Sequence, residues 1–170
     1  MNKIIIHWTA GLLVPNSVDL KHYHFLIDKY GRINNGIFKP EDNENCYDGK
    51  YATHTGGGNT GAIGVAICGM CGFSSINKIG AYPINKIQCE AMFNLVAKLA
   101  YKYGIPINAD HIMTHYEFGK KNPKTTSFGK IDIIYLPPYP EVKANKIGDF
   151  IRNKIKWYFQ KLVRKGGENN

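Results

Sequence analysis

A chain of 170 residues, 44% hydrophobic and 21% charged, has the make-up of one globular domain and not of a disordered or fibrous segment. It holds no apolar run near the ~20 residues of a membrane helix, and the opening Ile4-Ile5-Ile6, cut short by His7, is too brief for a secretory signal. The net charge of +9 favours an anionic partner: nucleic acid, an anionic membrane or a carboxylate-bearing wall polymer.

In chain order, Lys3–Trp8 is rich in β-branched residues and predicts a buried strand, with Thr9-Ala10-Gly11 as a loop. Pro15-Asn16-Ser17 offers a turn or helix start, and Val18–Lys21 a short helix. Tyr23–Asp28 predicts a second strand, and Tyr30-Gly31-Arg32 turns it into a short hairpin partner around Ile33. Residues 34–61 are dense in Gly, Asn, Asp, Thr and Pro, the composition of a long surface loop, and such loops inside compact domains are usually functional. Ala62–Cys68 is a fully apolar run, expected to be a central strand. Asn85–Tyr103 repeats apolar residues at Ile87, Met92, Leu95, Val96, Leu99 and Tyr103, a helical period stopped by Gly104. Ile112–Thr114 predicts a short strand leading into His115, and residues 117–130 a Lys/Gly/Thr loop. After Pro137-Pro138 and Pro140, which exclude regular structure, Ile147, Ile151, Ile155, Tyr158 and Leu162 mark a second helical face. Strands interspersed with helices, and no internal repeat, imply a single α/β domain over 1–170: a central mixed β-sheet flanked by helices.

Four cysteines (Cys46, Cys68, Cys71, Cys89) make no disulfide framework in a chain this long. Cys68-Gly69-Met70-Cys71 has paired spacing, but no second pair exists for a zinc ribbon and no helix start for a redox site. Structural thiols are expected.

Among the six histidines, His7 and His115 each close a predicted strand, where a rigid element can project a side chain into a cleft. His22 and His24 flank Tyr23, and on a strand both would face away from it. His54 sits in the glycine-rich loop. His111 precedes His115 by four, the helical metal spacing, but Ile112-Met113-Thr114 argues against a helix there.

Taken together and in order, His7-Trp8-Thr9-Ala10-Gly11, Tyr23-His24-Phe25-Leu26-Ile27-Asp28, His54-Thr55-Gly56-Gly57-Gly58-Asn59-Thr60, Thr114-His115-Tyr116-Glu117 and Gly129-Lys130-Ile131-Asp132 resemble the zinc-dependent N-acetylmuramoyl-L-alanine amidases. That family shares its fold with phage lysozyme-like amidases and animal peptidoglycan recognition proteins. The resemblance runs over about residues 3–140. It implies a zinc ligand at the end of the first strand (His7), a second after the later short strand (His115), and a third two residues beyond a lysine (Asp132, after Lys130). It also implies catalytic roles for Tyr23 and Lys130, and a substrate groove lined by His54, Asn59 and Thr60.

The chemistry of such a set is coherent. Three protein ligands with a fourth position open to water make a catalytic zinc arrangement, and two imidazoles with one carboxylate leave the site at net +1, which favours water ionisation. Some relatives carry a glutamate base in the strand that here reads Ile63-Gly64-Val65-Ala66-Ile67-Cys68; Ala66 stands at its place, so the site is expected to be of the tyrosine type. Glu117 is a candidate substitute and Asp110 a competing third ligand.

The expected activity is hydrolysis of the amide between N-acetylmuramic acid and L-alanine of peptidoglycan. The expected setting is a phage or prophage endolysin that accumulates in the host cytoplasm and acts at the cell wall after the membrane opens. A bacterial recycling or remodelling amidase and a non-catalytic peptidoglycan-binding module are the alternatives. Nucleic-acid binding is not expected, since no ribonucleoprotein or zinc-finger motif accompanies the charge. A monomer is expected. The basic C-terminal helix over about 145–165, with Lys154, Lys161, Arg164 and Lys165 on one face, suits contact with anionic wall polymer or membrane.

Overall fold

The computed structural model describes residues 1–167; 168–170, and the side chain of Lys165, lie outside the described part. Five strands make one sheet: β1 (Lys3–Trp8), β2 (Phe25–Ile27), β3 (Ile33–Asn35), β4 (Ala62–Ile67) and β5 (Ile112–Thr114), in the order β3-β2-β4-β1-β5. The last four run parallel, and only β3 is antiparallel, as the hairpin partner of β2. Central parallel strands are covered on both faces, which is why β1 and β4 read as unbroken apolar runs.

The two faces differ in their cover. Ile4, Ile6, Trp8, Ile63, Val65, Ile67 and Ile112 join the main core with the helices α2 (Lys86–Tyr103) and α4 (Ile147–Gly167), which supply Met92, Phe93, Val96, Ile151 and Ile155. The opposite face presents Ile5, Ala62 and Met113 to Phe118, and His7 beyond them. It is closed by the long loop before β4 and by helix α3 (His115–Lys121).

Helix boundaries follow their caps. Asn16 caps α1 (Ser17–His22) in a reciprocal box with Asp19, and Asn85 caps α2 in another with Gln88; Gly104 ends α2 at φ 64°. Gln88 also donates its side-chain amide to the carbonyls of Ile27 and Cys68, tying α2 to the ends of β2 and β4. Two expectations are corrected. His22 is the last residue of α1 and Tyr23 its C-cap, so the second strand begins only at Phe25 and His22 and His24 do not share a strand face. The segment expected to be loop from 117 on begins as α3, because Thr114 and Glu117 form a capping box: the Thr114 hydroxyl accepts from the Glu117 N–H, and the Glu117 carboxylate accepts from the Thr114 N–H.

Glu117 carries a second burden. Both of its oxygens receive the guanidinium of the buried Arg152 on α4, at 2.9 Å each, and Arg152 also donates to the Ile112 carbonyl and to Asp149. Glu117 is therefore a structural anchor between α3, α4 and β5. Asp110, the competing ligand candidate, is exposed and paired with Lys121. The cysteines are all free, and burial pushes the thiols of Cys68 and Cys89 up to about 12, so these two are inert. Among the described residues no helix is long and apolar enough to cross a membrane. Of the basic residues near the C-terminus, Arg152 is spent on Glu117 and Lys154 contacts Glu90, while Lys161 and Arg164 are exposed.

Removing Glu117 takes the bidentate partner from the buried Arg152 and leaves it only the exposed Asp149 and the Ile112 carbonyl. Glu117→Ala is expected to lower unfolding stability by about 3 kcal/mol in a denaturant titration. Lys121→Ala, at the exposed Asp110 pair, is expected to change it by less than about 1 kcal/mol.

Candidate active site

The register of the sheet builds the site. Ile6 pairs with Thr114 across β1 and β5, so the next residues, His7 and His115, lie side by side where the strands end. Ligand sites of open parallel sheets lie at this carboxyl edge. His115 is also the first residue of α3, so the cap that starts the helix fixes where its imidazole begins. The third member, Asp132, arrives on the loop after Phe128, beside the left-handed residue Ile133 (φ 62°), and its carbonyl accepts the Tyr116 N–H.

These three side chains converge on one point. His7 Nδ1 and His115 Nδ1 are 3.1 Å apart, and Asp132 Oδ2 is 3.2 Å from the first and 3.1 Å from the second. His7 is fully buried, His115 nearly so, and Asp132 partly open.

The hydrogen bonds around the triangle decide where its protons are. His54 Nε2 faces the Ala62 carbonyl and must donate to it, so His54 Nδ1 accepts, and the donor is the Thr55 hydroxyl at 2.8 Å. The Thr55 oxygen in turn accepts a hydrogen bond from His7 Nε2–H at 3.3 Å. On the other side the Ser127 hydroxyl donates to the Gly56 carbonyl at 2.8 Å, and so accepts from His115 Nε2 at 3.0 Å. In the neutral rings both Nδ1 atoms are then bare. Burial keeps His7 neutral, lowering its pKa to about 4. Burial alone would raise the Asp132 carboxyl, but the contacts with His115 and His7 hold it well below the usual carboxylate range. Three lone pairs therefore face one another at 3.1–3.2 Å, an arrangement that repels itself unless a cation sits among them. Ligand atoms on a tetrahedral zinc with bonds of 2.0–2.1 Å are about 3.3 Å apart. The donor set fits such an ion.

The remaining expected site residues are placed as follows. Tyr23 packs its ring 5.1 Å from that of His7. Burial first, then the charge of Asp132, raises its hydroxyl pKa above the ordinary value, so it stays protonated. Lys130 is exposed, two residues before Asp132 in the same loop. His54 is buried behind His7, its ring seated on Gly64 where a Cβ would collide with it. Asn59 accepts the Thr55 N–H, and with Thr60 it borders a cleft beside Lys3, four residues back along β1 from His7. The structure thus gathers His7, His115, Asp132 and Tyr23, sets His54 behind them, and puts Asn59 and Thr60 at the other end of the strand. Ala66 is the register partner of His7 on β4, so no carboxylate stands there. Sequence reasoning missed Thr55 and Ser127. Thr55 lies inside the glycine-rich motif His54-Thr55-Gly56-Gly57-Gly58, while Ser127, one of three consecutive hydroxyl residues, carries no signal.

A mixed sheet with helices on its main face and this loop-covered carboxyl edge is an amidase-like fold. Residues 1–127 match the N-acetylmuramoyl-L-alanine amidase family, and the chain belongs to it. No curated relative matches the chain in sequence. Among solved structures, the Staphylococcus aureus hydrolase AmiA in complex with its ligand is similar in fold, at a TM-score of 0.57 and 17% identity over 97% of this chain and 75% of that one. A point mutant of PlyL is similar at a TM-score of 0.51 and 20% identity, over 91% and 84% respectively.

Acid should destabilise the metal-free protein through its buried neutral histidines. His7 and His24 are lowered by burial to about 4, and His54 well below its usual value. Unfolding frees these groups to bind protons below about 6.5, so the unfolded state holds more protons across the window from about 6.5 to about 4. Stability is expected to be full above that window and to fall steadily with pH through it, as measured by urea unfolding. A flat profile there would mean that these rings are not buried neutral.

Proposed function

We propose that this protein is a zinc-dependent hydrolase of the amide between N-acetylmuramic acid and L-alanine in peptidoglycan, with His7, His115 and Asp132 holding the ion. The observation that carries the reading is the triangle of three inward donor atoms, two of them on imidazoles whose outer protons are committed to Thr55 and Ser127. Family membership supports the substrate class. Zinc supplies Lewis-acid chemistry when bound, activating water as the nucleophile and polarising the scissile carbonyl.

The chain's own groups account for the rest. Tyr23 is the proton-handling group: its hydroxyl is kept protonated and its ring packs beside that of His7, suited to orienting the nucleophile and passing a proton to the departing alanine amine. Two other candidates are absent from that task, since Ala66 offers no carboxylate and Glu117 is bound to Arg152. Lys130, exposed in the Asp132 loop, is assigned to the developing oxyanion, where a cation counts for most in the transition state. The setting we propose is lytic, as an endolysin. The net charge of +9 and the exposed Lys161 and Arg164 support attraction to an anionic wall.

Purified peptidoglycan incubated with the zinc-loaded protein is expected to release stem peptides with a free N-terminal alanine, detected by mass spectrometry and abolished by chelation. His7→Ala and His115→Ala are expected to lose bound metal and activity together. Tyr23→Phe and Lys130→Ala should retain zinc and lose about 10²–10³-fold in kcat. A fully active Tyr23→Phe would remove the proton-transfer role, and released reducing sugar ends without free alanine would replace the reaction altogether.

A further inference from the structure

We infer that Thr55 and Ser127 are positioning residues for the two imidazoles, and that the triplet Gly56-Gly57-Gly58 is there to let one loop hold both. This rests on the zinc reading above. The contacts are direct: the Thr55 hydroxyl receives His7 Nε2–H, and the Ser127 hydroxyl receives His115 Nε2–H. They are also linked, because the Ser127 hydroxyl donates its own hydrogen bond to the carbonyl of Gly56, the residue after Thr55. Two ligands from different strands are thereby referred to neighbouring atoms of a single loop. That loop is itself fixed, since the Thr55 N–H donates to Asn59 Oδ1 at 2.8 Å and the Gly58 N–H to the Thr55 carbonyl at 2.9 Å.

The glycines have a steric explanation in the same contact. A Cβ on Gly56 would run into the Thr126 hydroxyl, one on Gly57 into the Thr125 methyl, and one on Gly58 into the Phe118 ring. Gly57 also has φ +77°, where a side chain is strained in any case. Loop 55–58 therefore lies backbone-first against 125–127, which is what brings Ser127 Oγ within 2.8 Å of the Gly56 carbonyl. The motif His54-Thr55-Gly56-Gly57-Gly58 serves the ligands from behind, and not the substrate side. Outer partners of this kind set ring orientation and the nitrogen offered to a metal, and their loss typically costs about 10–100-fold in metal affinity.

The test is zinc affinity by competition with a chromophoric chelator, with the visible spectrum of the cobalt-substituted protein and the thermal unfolding of the metal-free protein as companions. Thr55→Val keeps the shape and removes the hydroxyl; Ser127→Ala does the same on the other loop. Each is expected to unfold cooperatively, to bind zinc about 10–100-fold more weakly, and to shift the cobalt bands. Thr55→Ser should restore affinity to within about threefold of the parent, on the same reasoning. Gly56→Ala deletes no hydrogen-bonding atom, yet should weaken zinc as Ser127→Ala does. Parental affinity and cobalt spectrum in Thr55→Val and Ser127→Ala would overturn the inference. So would Thr55→Ser weakening zinc as much as Thr55→Val, which would signal packing and not the hydroxyl. A parent protein that binds no zinc at all would overturn the metal reading and this inference with it.

Discussion

The site depends on one constraint: the protons of two buried imidazoles are spoken for on the far side of each ring. The Ala62 carbonyl orders His54, His54 orders the Thr55 hydroxyl, and that hydroxyl orders His7. The Gly56 carbonyl orders Ser127, which orders His115. This arrangement satisfies the Ala62 and Gly56 carbonyls and both outer ring nitrogens together, and burial keeps His7 neutral. The electron-rich triangle at the front follows from what is fixed at the back.

The fold supplies the positions. Parallel pairing of β1 with β5 in the Ile6–Thr114 register sets the two histidines adjacent, and the Thr114–Glu117 box turns the chain into α3 at that residue. Arg152 on α4 then clamps Glu117 from the main-core side. The carboxylate two residues after His115 is thus used to hold the scaffold, which leaves proton transfer to Tyr23 in the proposed mechanism. Small residues do the remaining spacing. Gly64 admits the His54 ring against β4, and Ala66 leaves room beside His7 in the register.

Much of this was legible in the sequence, for physical reasons. The apolar runs of β1 and β4 and the helical period of α2 are strong signals because burial on both faces, or on one stripe, dictates residue type. His7 and His115 stood out because each closes such a run. The start of α3 was written in Thr114-His115-Tyr116-Glu117 as a capping box, yet the lysines and glycines that follow obscured it. The length of the second strand was not legible, since Asn16 capping pulls His22 into a helix and only register with β4 fixes where β2 begins. The positions of His54, Asn59 and Thr60 depend on how a 28-residue stretch (34–61) folds over the sheet, and contacts such as Ser127 with Gly56 join residues 71 apart. No local pattern encodes a contact of that kind.

The most direct test of the account is the tautomeric state of the histidines, read from long-range ¹H–¹⁵N correlation spectra of the metal-free protein near neutral pH and again after zinc is added. The account predicts that His7, His115 and His54 each carry a proton on Nε2, and that zinc moves the Nδ1 resonances of His7 and His115 while leaving His54 in the same tautomer. A proton on Nδ1 of either His7 or His115 in the metal-free protein, or zinc shifts confined to Nε2, would contradict it.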